Sequence, residues 1–163
     1  MHQGKHVSIV RIKKMLLALD LGTKTGWASQ SEGSAAFTSG VQKFANDRFS
    51  GGGMRYLKFE KWLLDMPQPS QVVFEEVRRH RGTDAAHVYG GLMAVLTKHC
   101  EANKIPYAGV PVGTIKKYWT KNGGCSKDAM IKEAVNRGFD PIDDNESDAL
   151  ALIHYWIEKG MFN

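Results

Sequence analysis

A chain of 163 residues has the size of one ordinary domain, and with 42% hydrophobic and 24% charged residues it can bury a real core, which excludes a disordered chain. No apolar run approaches the ~18–20 residues of a membrane span, Val7–Val10 is too short for the core of a secretory signal, and Cys100 and Cys125 stand too far apart for a C-x-x-C pair. These features exclude a disulfide framework and a cysteine-based zinc site and lead one to expect a cytoplasmic protein. The net charge is +5, with a pI near 9.2. It falls to +1 once the four basic residues Lys5, Arg11, Lys13 and Lys14 are set aside. Residues 1–14 therefore read as a basic tail or extension ahead of one domain spanning 15–163. Basicity elsewhere is local, at Arg78-Arg79-His80-Arg81, at Lys116-Lys117 with Lys121, and at Lys127 with Lys132. Such patches beside an acidic pocket neutralise phosphates while carboxylates hold metal. Taken singly, each is equally well a solvated surface.

Met15 to Asp20 is a short apolar run ending in an acid, the pattern of a buried strand. Leu21 to Gly26 reads as a turn. Trp27-Ala28-Ser29 and residues from about Ala35 to Phe44 complete an antiparallel meander. A loop over Asn46–Gly53 precedes a helix containing Met54, Leu57, Phe59, Trp62 and Leu63, which Pro67 and Pro69 terminate. Val72-Val73-Phe74-Glu75 is a second apolar run closed by an acid. Residues 83–103 form the longest helical stretch, with Val88, Leu92, Val95, Leu96 and His99 at helical spacing. Gly90-Gly91 costs about 1 kcal/mol each in helix propensity, so close packing is expected there. A strand over Pro106–Val110 and a helix over Gly113–Thr120 follow. Ser126 caps a helix whose face is Met130, Ile131, Ala134 and Val135, and Gly138 ends it. The last helix starts near Asp144-Asn145 and aligns Ala149, Leu152, Ile153 and Trp156. This order predicts an α/β fold with a mixed sheet and helices on both faces.

Asp20 and Glu75 share one context: each ends a run of buried-type residues and precedes a break. Sites in open α/β sheets form where strand ends meet loops, and a carboxylate there is costly unless a metal or a hydrogen bond compensates it. The third element is Asp143-Asp144-Asn145-Glu146-Ser147-Asp148, where Asp144 and Asp148 share one helical face and Asn145 lies three residues from Asp148. Hard divalent cations prefer such oxygen ligands. Two ions about 3.5–4 Å apart activate water and stabilise the leaving oxygen of a phosphodiester. Without metal, two carboxylates ~4 Å apart repel by about 4 kcal/mol at an effective dielectric near 20. Each piece alone has a plain structural explanation: acids favour a helix N-terminus, and a strand-ending Asp stabilises a turn. Their ordered combination is harder to explain without a metal site.

At these residues the sequence resembles the RuvC family of Holliday-junction resolvases, within the ribonuclease-H-like superfamily. The resemblance spans about Met15 to Trp156. Leu17-Ala18-Leu19-Asp20-Leu21-Gly22-Thr23 is similar to the family's first-strand motif, Val73-Phe74-Glu75-Glu76-Val77 to its fourth-strand motif, and Asp148-Ala149-Leu150-Ala151-Leu152 to its final-helix signature. Ile115-Lys116 and Ser126-Lys127 match basic positions that contact DNA near the scissile phosphate. The resemblance implies a ribonuclease-H-like, five-stranded mixed sheet. It implies two Mg²⁺ ions per site, with Mn²⁺ as substitute, held by Asp20, Glu75, Asp148 and a fourth ligand. Where many relatives carry Asp or His, this chain has Asn145, and Asp144 is taken as the residue that supplies the missing oxygen. The implied catalytic set is Asp20, Glu75, Asp144, Asp148 and Lys127. The implied DNA contacts are Arg78, Arg79, Arg81, Lys116, Lys117 and Lys127. After Glu75-Glu76-Val77, where relatives place a stacking aromatic, Arg78-Arg79-His80 follows, which favours phosphate contacts.

The resemblance further implies a homodimer through the 83–103 helix that cuts four-way junctions symmetrically. The setting it implies is the cytoplasm of a bacterium or a phage-infected host, and the compact form is similar to phage and prophage versions. Two other readings compete: a RuvC-like nuclease acting on structured RNA, and a branched-DNA-binding module with little cleavage. An ATPase of the actin and Hsp70 class would share the Asp-x-Gly-Thr turn, but the chain is too short for two lobes and lacks a second phosphate motif.

Overall fold

The computed structural model describes residues 11–162. Most of the expected basic tail lies outside the described residues. Of its remainder, Arg11 pairs with Glu32 at 2.8 Å, and the Lys14 carbonyl accepts from the Glu32 N–H.

Five strands and five helices follow in the order β1 (Met15–Asp20), β2 (Lys24–Ser31), β3 (Thr38–Lys43), α1 (Met54–Asp65), β4 (Gln71–Glu76), α2 (Thr83–Ala102), β5 (Tyr107–Pro111), α3 (Val112–Thr120), α4 (Lys127–Asn136) and α5 (Asp144–Glu158). The sheet order is β3-β2-β1-β4-β5. β1 and β2, and β2 and β3, pair antiparallel; β4 lies parallel to both β1 and β5. The mixed five-stranded sheet matches the expected architecture. The turn over Leu21–Gly26 is shorter than expected, because β2 already begins at Lys24. Gly26 sits inside the ladder, paired with Asp20. A glycine signal taken for a turn marks a close approach instead.

The alternation of a strand assigns its side chains to two cores. Leu16 and Ala18 of β1 and Val73 of β4 pack with α3, α4 and α5 on one face. Leu17, Leu19, Val72 and Phe74 pack with α1 and α2 on the other. α5 is the helix most deeply enclosed, with Ala149, Leu150, Ala151, Leu152 and Ile153 all fully buried. On α1 the buried positions are Phe59 and Leu63, while Met54 and Leu57, expected on the apolar face, are exposed. Val135 of α4 is likewise exposed. The Gly90-Gly91 expectation holds at one of the two residues: a Cβ on Gly91 would fall 2.4 Å from the Tyr56 ring, whereas Gly90 has open space. Gly91 thus lets α1 and α2 approach closely.

Cys100 and Cys125 are both buried free thiols. Among the described residues, no helix is long and apolar enough to cross a membrane.

Candidate active site

Asp20 ends β1 in register with the Leu16–Ala18 row, and Glu75 lies in β4 two residues after Val73. Period-two alternation therefore turns both carboxylates toward α5, the face that holds Leu16, Ala18 and Val73. β1 and β4 are parallel neighbours, so the acids emerge side by side at the carboxyl ends of the sheet. The third carboxylate descends from α5. Asp143 caps this helix by accepting from the N–H groups of Asn145 (2.9 Å) and Glu146 (3.2 Å). Asp148 follows one turn later. Carboxylate oxygens of Asp20, Glu75 and Asp148 all lie within 4.8 Å of one another.

Two details bring α5 this close. A Cβ on Gly26 would lie 1.8 Å from the Asn145 carbonyl oxygen, so the first turn of α5 rests directly on the β2 backbone. Glu146 is buried and tied down on both sides, accepting from Ser39 Oγ at 2.7 Å and from the Ile142 N–H at 2.7 Å. Glu146 thereby anchors the helix to β3 and is spoken for as a ligand. Neither residue stood out in the sequence. Glu146 falls three residues after the Asp143 cap, a capping-box spacing that could have signalled it.

The electrostatics are those of an unneutralised anion cluster. Burial, reinforced by the charges of Glu75 and Asp148, raises the Asp20 carboxyl well above the usual range. Burial also raises Glu75, against the opposing hydrogen bond with Asp20 and the charge of Lys116. Burial, with the charges of Glu75 and Asp144, pushes Asp148 up to about 8, while Lys116 and Lys127 pull it back. Asp148 Oδ1 is buried with no hydrogen-bond partner among the described residues. A buried, unpartnered carboxylate oxygen facing two further carboxylates is poorly served by protein alone. The all-oxygen donor set suits a hard divalent cation, which would supply the missing partner and lower all three pKa values.

The other expected residues divide into near and far groups. Asp144 lies at the edge of the cluster, with Oδ2 2.7 Å from Lys127 Nζ. Asn145 turns its amide to the Asp143 carboxylate at 3.1 Å. Lys116 lies close enough to act on Glu75 and Asp148, and its Nζ reaches the Cys125 carbonyl at 3.4 Å. Arg78 and Arg79 are exposed and border a hollow of about 500 Å³ that reaches Glu75. Arg78 also contacts Glu76 at 3.4 Å. Arg81 is exposed beyond that hollow. Lys117 points elsewhere, into a groove shared with Tyr118, Lys121, Tyr155 and Lys159.

No family model matches the sequence, and neither does any curated protein. Solved structures do match. RuvC from Thermus thermophilus superposes with a TM-score of 0.68 at 17% identity, covering 90% of this chain and 96% of its own. The T. thermophilus RuvC in complex with Holliday junction substrate gives 0.69 at 16% identity, covering 91% and 96%. The yeast mitochondrial Holliday junction resolvase Ydc2 gives 0.57 at 13%, covering 91% and 84%. The chain has the RuvC fold. Within this fold, one more residue braces the cluster and went unread in the sequence. Tyr89 of α2 is buried; its hydroxyl donates to the Glu75 carbonyl at 2.8 Å and accepts from the Val77 N–H at 3.1 Å. It fixes the backbone on both sides of the β4 exit. Nothing in a helical apolar pattern distinguishes an inward Tyr with this task from an ordinary core residue.

Proposed function

We infer that the chain is a metal-dependent, structure-specific endodeoxyribonuclease that resolves four-way junctions and related branched DNA. The observation that carries this reading is the convergence of Asp20, Glu75 and Asp148 at the carboxyl ends of two parallel strands. The likeness in fold to a RuvC that was solved with a Holliday junction substrate supports it.

Asp20, Glu75 and Asp148, with Asp144 at the edge, would hold Mg²⁺, two ions per site, with Mn²⁺ able to substitute. Bound there, such ions would supply activation of a water and stabilisation of the leaving oxygen of a phosphodiester. The chain's own residues do the rest. Gly26 and Glu146 hold α5 at the distance that lets its acid meet those of the sheet. Lys127 and Lys116 bring positive charge to the rim, where a phosphate enters an otherwise anionic site. Lys127, paired with Asp144 at 2.7 Å, would exchange that carboxylate for a phosphate oxygen when substrate arrives. Arg78 and Arg79 carry exposed guanidiniums suited to backbone phosphates. Residues 15–163 make up the nuclease unit, and two copies joined through α2 would cut symmetric strands.

The test is a cleavage panel of four-way junctions, flaps, linear duplex and a structured RNA, with Mg²⁺ or Mn²⁺. Paired symmetric cuts in the junction are expected, and Asp20→Asn and Glu75→Gln should abolish them while junction binding survives. Full cutting by either variant would refute the site; preferential cutting of the RNA would reassign the substrate.

A further inference from the structure

Lys117 of α3 and Lys121, the residue that caps its end, lie one turn apart and face away from the carboxylates. They line a groove of about 480 Å³ between α3 and α5, with Thr114, Tyr118, Tyr155 and Lys159. All three lysines are exposed, and none of their ammonium groups pairs with a carboxylate among the described residues. The acids close by are already engaged: Glu158 accepts from the Tyr118 hydroxyl, and Glu133 pairs with Arg137 at 2.8 Å. The floor is braced. The Tyr118 and Tyr155 rings meet edge to face at 5.5 Å, Arg137 lies 5.7 Å from the Tyr118 centroid, and Lys159 Nζ stands 6.0 Å over the Tyr155 ring. Three uncompensated cations, with no acid in the lining, make this groove a site for a polyanion.

Both helices begin at the carboxylate site. Gly113, next to Thr114, borders the hollow that reaches Glu75, and α5 carries Asp148. The groove follows the two helices away from that end. At a rise of 1.5 Å per residue, Tyr155 lies ~10 Å and Lys159 ~16 Å beyond Asp148 along α5. We propose that the groove holds the phosphate backbone of a duplex arm of the substrate, away from the cut. The proposal rests on the nucleic-acid reading of the carboxylate site. A strand rises about 3.4 Å per nucleotide, so the span corresponds to phosphates about 3–5 nucleotides from the scissile one. The side chains present suit phosphate oxygens: ammonium groups, and the hydroxyls of Thr114 and Tyr155, which make no hydrogen bond among the described residues. Continuity with a phosphodiester site favours DNA over an acidic peptide. Contacts of this kind fix the course of the arm and add affinity whatever its sequence.

The experiment measures binding of the full chain to a four-way junction in chelator, from about 50 to 200 mM salt. Wild type is compared with one variant that combines Lys117→Gln, Lys121→Gln and Lys159→Gln. Each phosphate contact adds about 0.9 to the slope of log affinity against log salt, so over this range wild type should lose about 40-fold more affinity than the variant. Arginine at the same three positions should restore the slope. Neutral methylphosphonate linkages, placed one at a time along each arm, locate the contact. One tract of linkages, about 3–5 nucleotides from the cut, should weaken wild type and leave the glutamine variant unaffected. A variant with the wild-type slope would overturn the proposal, as would equal responses of the two proteins at every linkage. Unchanged DNA binding together with lysine-dependent binding of poly-glutamate would overturn it too, and would assign the groove to an acidic protein segment. Neither readout needs cleavage. If Mg²⁺ produces no cut, a lysine-dependent slope upholds the groove and counts against the nuclease reading alone, whereas a wild type that binds no DNA refutes both.

Discussion

A carboxylate buried among other carboxylates holds its proton more tightly than one in water, and at this site that effect has a definite sign. The Asp148 pKa rises from 3.8 to about 8, and those of Asp20 and Glu75 rise in the same direction. A raised folded pKa means that the folded state binds protons more tightly than the unfolded chain. The resulting stability is fully present below the unfolded pKa and is lost as pH rises through the folded value. With metal chelated, the protein should therefore lose thermal stability between about pH 4 and pH 8. Millimolar Mg²⁺ should raise the Tm more at pH 8 than at pH 5. In chelator at pH 8, Asp148→Asn should melt several degrees above wild type, on the scale of 2–4 °C per kcal/mol for a chain of this size. Differential scanning fluorimetry across pH, with and without Mg²⁺, measures both; a flat profile would show that the cluster stores no repulsion.

The fourth ligand is a question at the same scale. Asn145 spends its amide on the Asp143 cap, while Asp144 keeps a carboxylate at the cluster edge, held by Lys127. Asp144→Asn should therefore reduce Mg²⁺-dependent cleavage by about 10–100-fold, the range for groups that orient or complete a metal site. Asn145→Ala should cost less. Rates measured against Mg²⁺ concentration check the order, and the reverse ranking would move the ligand to Asn145.

At the scale of elements, the site depends on how closely α5 lies against the sheet. Gly26 decides this, since its missing side chain is the space that the Asn145 carbonyl occupies. Gly26→Val should lift the first turn of α5 away from β2. The strain should cost about 1–3 kcal/mol of stability, as overpacking of a close contact does, and cleavage should fall further than this loss of stability explains. Urea unfolding beside junction cleavage separates the two effects; full activity in the variant would show that α5 can settle elsewhere without harm. The elements themselves were largely readable from periodicity, caps and breakers, as Ser126 at the start of α4 and Gly138 after its end demonstrate. What periodicity misplaced was depth. Met54, Leu57 and Val135 fit apolar faces by spacing but stand in solvent, because a helix laid on one side of a sheet buries a narrower stripe than its composition offers.

For the whole molecule, the central prediction is stoichiometry. Symmetric cutting of a four-way junction needs two sites, so the protein should sediment at twice its chain mass of 18.1 kDa. α2 buries Tyr89, Leu92, Leu96, His99 and Cys100 against its own sheet and keeps Ala85, His87, Ala94 and Lys98 in solvent. Ala94→Glu should yield monomers that nick junctions without the paired second cut, read by sedimentation and by a junction assay that scores both strands. A stable wild-type monomer would sink the symmetric mechanism.

The sequence alone determined the identity of the acids and the order of the elements that carry them. Strand-ending carboxylates and a capped acidic helix are local patterns, and local patterns survive without coordinates. Asp20, Glu75 and Asp148 could be picked out before their geometry was known, and their meeting within 4.8 Å is the tertiary result. Three further matters were decided by the tertiary structure: the use of Gly26 inside a strand, the bond from Glu146, which capping-box spacing only hinted at, to Ser39 of β3, and the bond from the Tyr89 hydroxyl to the Glu75 carbonyl. Each is a contact between residues remote in the chain, where distance, rather than residue type, decides the role. The same reason separates Lys116 from Lys117. They are neighbours in sequence, yet a helix turns about 100° per residue, so one side chain faces the carboxylates and the other a different groove.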